Sequence, residues 1–100
     1  MDNYNVKLLS RALADLDKIY AYIASNLHEP GTAESMIDAL EEGILSLESM
    51  PYRFPERRIG SYANRGYRQL MVKNYAVIFR VDEAHKQVIV VTVRYARRQF

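Results

Sequence analysis

Residues 88–93 read VIVVTV. Every position is apolar or β-branched, so a strand here has no polar face to turn towards water. Such a strand belongs in the middle of a sheet, and the rest of the chain has to supply its neighbours. Residues 4–9 are one candidate, with Tyr4, Val6 and Leu8 alternating against Asn3, Asn5 and Lys7. Ser10 follows where an N-cap belongs. Leu13, Leu16, Ile19, Tyr20, Ile23 and Leu27 then recur at three- and four-residue steps, with Asp15, Asp17 and Lys18 between them. That spacing predicts an amphipathic helix over about 11–26.

Pro30 and Gly31 break the pattern. Pro30 suits the first turn of a second helix, and Thr32 is an alternative cap. Ala33, Met36, Ile37, Leu40, Ile44 and Leu47 form the next apolar face, backed by Glu34, Asp38, Glu41, Glu42 and Glu48. Gly43 costs helix propensity and permits close packing. The short connection implies an antiparallel helical hairpin. Residues 51–64, with two prolines and Gly60, read as a surface loop. Strands are expected over 66–72, 75–81 and 88–95. Lys73-Asn74 makes the first turn, with the asparagine taking the left-handed backbone, and 82–87 makes the second. The order is β-α-α-β-β-β, an α+β fold with the helical hairpin packed on one face of a small, mainly antiparallel sheet. One hundred residues make a single domain, 1–100. Its expected core is Leu16, Ile23, Ile37, Leu40, Ile44, Val77, Phe79, Val90 and Val93.

Apolar residues at 49% and charged residues at 26% are a globular mix, unlike that of a disordered chain. The absence of cysteine excludes disulfides, thiolate metal sites and cysteine nucleophiles, and points to an intracellular, cytoplasmic protein. No apolar run approaches the length of a membrane span, and the N-terminus lacks the regions of a signal peptide. The net charge of +2 hides an asymmetry. Residues 1–50 carry three basic and nine acidic groups, a net of −6; residues 51–100 carry eleven and three, a net of +8. Nine of those eleven are arginine, whose planar fork of donors suits phosphate and carboxylate. The asymmetry suggests a polyanion or an acidic partner, against the plainer alternative of a solubilising surface.

Catalytic patterns are mostly missing. Gly31, Gly43, Gly60 and Gly66 fit neither a phosphate-binding loop nor a dinucleotide fingerprint. His28 and His85 fall in turns without a second ligand, so no metal is expected, and no cofactor. Glu41 and Glu42 point different ways from a helix, and no serine sits in a nucleophile elbow. What remains is arginine interleaved with tyrosine: Arg68, Arg80, Arg94, Arg97 and Arg98 with Tyr67, Tyr75 and Tyr95. Such a set suits metal-free RNA cleavage, with arginines stabilising the phosphate and a tyrosine or a shifted arginine moving the proton. It equally suits stacking on bases or gripping an acidic protein, and Tyr67 and Tyr75 also suit the core.

The segments LLSRALADLDKIYAYIA, EPGTAESMIDALEEGILSLESMPYR, GYRQLMVKNYAVIFRVDE and VIVVTVRYARRQF, in this order and spacing, resemble the RelE/ParE superfamily of bacterial type II toxins. The resemblance implies a compact β-α-α-β-β-β toxin neutralised by a cognate antitoxin with an acidic or amphipathic segment. Operator DNA would be bound only through that antitoxin, and no membrane is involved. RelE-like members cut mRNA on the ribosome, and there Arg68, Tyr95 and Arg97 would be catalytic, with Arg80 and Arg98 supporting. ParE-like members poison DNA gyrase; Arg80, Arg94, Arg97, Arg98 and Phe100 would then contact target or antitoxin. Leu70 and Ala76 stand where RelE-like toxins tend to carry basic residues, so the resemblance favours the ParE-like branch. A RelE-like nuclease and an inactive or regulatory member are the alternatives.

Overall fold

A computed structural model describes residues 3–96. Along the chain run β1 (Asn5–Leu8), α1 (Ser10–Ala21), a π-helical turn (Tyr22–Asn26), α2 (Pro30–Leu45), β2 (Arg68–Val72), β3 (Tyr75–Asp82) and β4 (Gln87–Tyr95). The sheet order is β1-β4-β3-β2. Strand β1 lies parallel to β4, with Val6 beside Val88; the other neighbours are antiparallel. The VIVVTV strand is therefore central, as its two apolar faces demand.

One face of the sheet carries both helices. Val77, Phe79, Val88, Val90 and Val93 meet Ile19, Ile23, Met36, Leu40 and Ile44 there, and all ten are buried. Leu16 and Ile37, also expected in the core, are only half-buried. They line the outer groove between the two helices, which no other described element covers. Helix α2 lies directly on β2. A Cβ placed on Gly43 would stand 2.9 Å from Val72 Cγ2 and 3.2 Å from Leu70 Cδ2, so the glycine is required for this approach.

The second face carries a smaller core of Ala76, Ile78, Ile89 and Val91, with Tyr62 and Tyr67 packed against it. The 51–64 segment is thus more than a surface loop, because Tyr62 covers part of the sheet. The register slips between Ile78 and Phe79, which pair with Thr92 and Val90 and leave Val91 without an opposite number.

Three local expectations need correction. Ser10 is the first residue of α1 rather than its cap, and Leu9 holds the cap position with extended backbone and no side-chain bond. The Leu9 N–H donates to Val90 O at 3.0 Å, so the chain stays in the sheet one residue before turning into the helix. Pro30 opens α2 as expected, but Thr32 lies within the helix and its hydroxyl donates to the Glu29 carboxylate at 3.1 Å. In the β2–β3 turn the left-handed residue is Lys73, at φ 54°, and not Asn74.

Candidate functional site

Helix α1 ends in a π-helical turn, and here the hairpin stands away from the end of the sheet. The result is a groove of about 740 Å³. Ile23 and Met36 are its buried apolar base, and Tyr22, Tyr75, Tyr95 and Lys73 surround them. Tyr75 and Tyr95 meet edge to face, ring centres 5.6 Å apart. Burial, with the neighbouring Tyr95 and Tyr22 phenols, raises the Tyr75 pKa and keeps its hydroxyl a proton donor. Tyr22, Leu27 and Tyr95 are exposed, so the groove presents aromatic and aliphatic surface to solvent. Its acidic member is Asp15, and that carboxylate already accepts from the Val93 N–H at 3.0 Å and from the Thr92 hydroxyl. Strand β1 pairs with β4 only as far as Val90, and Asp15 takes over the edge beyond it.

The predicted basic residues divide between the two faces. Arg80 pairs with Ile89 and Arg94 with Ala76, so both share the helix-free face. Arg80 is exposed. Arg94 is half-buried, lies over the Tyr62 ring at 5.7 Å, and donates to Ser61 Oγ at 3.3 Å. Arg68 pairs with Phe79 and so faces the helix side. It stacks on the Tyr52 ring at 5.1 Å and donates to the Phe54 carbonyl at 2.7 Å.

Arg68 starts β2, whereas Tyr95 ends β4 level with Tyr75 and Val72. Four strand positions separate the two levels, about 13 Å along the sheet. The sheet does not bring Arg68 and Tyr95 to one point. Arg97, Arg98 and Phe100 lie outside the described residues.

A separate polar cluster joins the start of β1 to the β3–β4 turn. The Tyr4 and Tyr52 hydroxyls each donate to Glu83 Oε1 at 2.8 Å, and Lys86 Nζ donates to Oε2 at 2.6 Å. These donors, Lys86 first, hold the Glu83 carboxyl at about 2. The same bonds raise both tyrosine pKa values, since the carboxylate favours the protonated phenols. His85 sits beside Asp82, Nδ1 to carboxylate 2.9 Å, and lowers its pKa. Among the described residues no three metal-ligating side chains come together. No described helix is long and apolar enough to cross a membrane.

Sequence reasoning missed Tyr22 and Lys73 in the groove, and Arg57, Ser61 and Arg65 in the loop. Their only signal was composition. Asp15 had a better one, because it shares the helical spacing of Ala12 and Ile19, both buried.

Two helices on one face of a β1-β4-β3-β2 sheet define the toxin fold of the RelE/ParE superfamily. The family described as "ParE toxin of type II toxin-antitoxin system, parDE" matches residues 6–100, and the chain belongs to it. It is a toxin of the type II toxin–antitoxin class. No curated protein sequence matches it. Among solved structures, the chain is similar to one from the chromosomal ParDE system of P. aeruginosa. The TM-score is 0.79 at 21% identity, covering 97% of this chain and all of that one. A chain of the RelBE2 toxin–antitoxin complex from Mycobacterium tuberculosis gives 0.66 at 21% identity, covering 93% and 98%. One of the RelE–RelB complex from Pyrococcus horikoshii OT3 gives 0.65 at 15%, covering 97% and 99%. At these identities the structures speak to the fold.

Proposed function

We propose that this toxin inhibits growth by binding and poisoning DNA gyrase, and that a cognate antitoxin neutralises it. The observation that carries the gyrase reading is the separation of Arg68 from Tyr95. A nuclease using both would have to set them around one phosphate, because transition-state stabilisation and proton transfer act over hydrogen-bond distances. Arg68 is instead bonded to the Phe54 carbonyl and stacked on Tyr52. Leu70 and Ala76 add to the argument. Leu70 lies against α2 at Gly43, and Ala76 is 1% exposed within the second core. Both positions are packed, so the arginines of a phosphate-gripping set have no place there. Inhibition by binding needs no proton-transfer group; a few anchoring side chains suffice.

The antitoxin reading rests on family and on charge. The ParDE and RelBE proteins of similar fold come from toxin–antitoxin systems. The +8 half of this chain suits an acidic segment, and the apolar groove at Ile23 and Met36 suits one face of an amphipathic segment. Brief expression in bacteria tests the target, with RNA and DNA examined in the same cells. Gyrase–DNA complexes with intact mRNA are expected. Cleavage of translated mRNA within codons, without DNA damage, would overturn the gyrase reading in favour of the RelE-like nuclease. Neither lesion would leave an inactive or regulatory member.

A further inference from the structure

The 60–65 loop and the end of β4 border a second, solvent-open pocket on the helix-free side of the sheet. Its volume is about 530 Å³, and it is lined by Gly60, Ser61, Tyr62, Ala63, Arg65 and Arg94. Two cations converge on one residue at its wall. Arg57 donates its Nε–H to the Ser61 carbonyl at 2.6 Å, and Arg94 donates to the Ser61 hydroxyl at 3.3 Å. Arg57 is anchored further by a bond to Gln69 Oε1 at 2.8 Å. It lies so close to the loop that a Cβ on Gly60, whose φ is +80°, would stand 3.1 Å from its Nη2.

These cations meet no counter-charge among the described residues. Among the described residues no carboxylate pairs with Arg57, Arg65 or Arg94; the neighbouring Glu56 lies 3.5 Å from Arg58 instead. Half-burial, and the like charge of Arg94, lower the Arg57 pKa. Cations held together by neutral acceptors form a place where an anion gains from several charges at once. The Ser61 hydroxyl, having accepted from Arg94, still has its own hydrogen to donate.

We propose that this pocket binds a phosphate group, gripped by Arg94 and Arg65 with Arg57 behind them. Phosphate fits better than carboxylate because its three or four oxygens and larger charge engage several forks of donors, whereas a carboxylate offers two oxygens and one charge. Arg57 and Arg94 are already fixed by their bonds to Ser61, so little side-chain freedom is lost when the anion arrives. The inference does not depend on the gyrase reading, since the same pocket is present whatever the target.

The test is a titration of the purified full chain with inorganic phosphate, followed through the arginine Nε–Hε signals by NMR, at constant ionic strength. Saturable shifts at Arg57 and Arg94 are expected, absent with chloride and at least about tenfold weaker with acetate. Arg94→Gln should weaken binding by about tenfold or more, the effect of one charge-assisted hydrogen bond. Arg65→Gln, at an exposed position, should weaken it in the same direction without affecting folding. A short single-stranded oligodeoxythymidine then separates two sources of the group. Tighter binding per phosphate than inorganic phosphate identifies a nucleic-acid backbone, and weaker binding identifies a free phosphate. Equal response to chloride or acetate, or unchanged binding in both variants, would overturn the proposal.

Discussion

Asp15 shows how much rests on single side chains in a chain this small. Its carboxylate is the acceptor for the Val93 N–H and the Thr92 hydroxyl, and Thr92 is 1% exposed. Asp15→Ala would leave both donors without a partner, and each buried unsatisfied group costs about 1–3 kcal/mol. A fall in the chemical-denaturation midpoint is expected, with little change in slope. Glu83 behaves differently, because its contribution depends on pH. Its carboxyl is held at about 2 in the folded chain, below its ordinary 4.5. A lowered value means that the folded state favours the charged form. The stability it contributes is full above pH 4.5 and is lost as pH falls towards 2. The thermal midpoint of Glu83→Gln should therefore lie below that of the parent at neutral pH and converge with it near pH 2. A constant gap across that range would contradict the assignment.

At the scale of elements, the contact of α2 with β2 sets the sharpest test. Alanine at Gly43 would gain about 1 kcal/mol of helix propensity. It would also drive a methyl group to 2.9 Å from Val72 Cγ2, on a β-branched side chain with few other rotamers. Overpacking of this kind costs about 1–3 kcal/mol, so Gly43→Ala should destabilise on balance. A higher thermal midpoint would mean that β2 yields. Nearly all the elements were legible in the sequence because the hydrophobic period changes cleanly, from three-and-four steps in 13–47 to strand patterns after 66. The central place of β4 followed from VIVVTV alone. Caps and turns were less legible, since they depend on bonds made by distant residues. Leu9 holds the cap position of α1 because its N–H reaches Val90. The candidate site was legible only in part. Arg80 and Arg94 share a face as strand alternation implies, but Arg68 turns to the other face. The convergence of Arg57 and Arg94 on Ser61 depends on a loop whose path no periodicity records.

Over the whole molecule, positive and negative charge are separated. The +8 half supplies β2, β3, β4 and the arginine-rich loop, while the helical hairpin carries most of the acidic groups. An acidic antitoxin approaching the sheet would be steered by that charge, and its apolar side chains would settle in the groove at Ile23, Met36 and Tyr95. The association rate should fall steeply with added salt, as the screening length shrinks from about 30 Å at 0.01 M to about 8 Å at 0.15 M. Dissociation, governed by the buried contacts, should change less. A salt-independent association rate would count against steering.

On the reading proposed above, this ParE-family toxin acts on gyrase by binding and not on RNA by cleavage. The most direct test of that reading adds the purified chain to purified gyrase and relaxed plasmid with ATP, and in parallel to a reconstituted translation reaction. Loss of supercoiling with accumulation of cleaved gyrase-bound DNA is expected, with intact mRNA in the translating ribosomes. Unimpaired supercoiling together with mRNA cut in the ribosomal A site would contradict it.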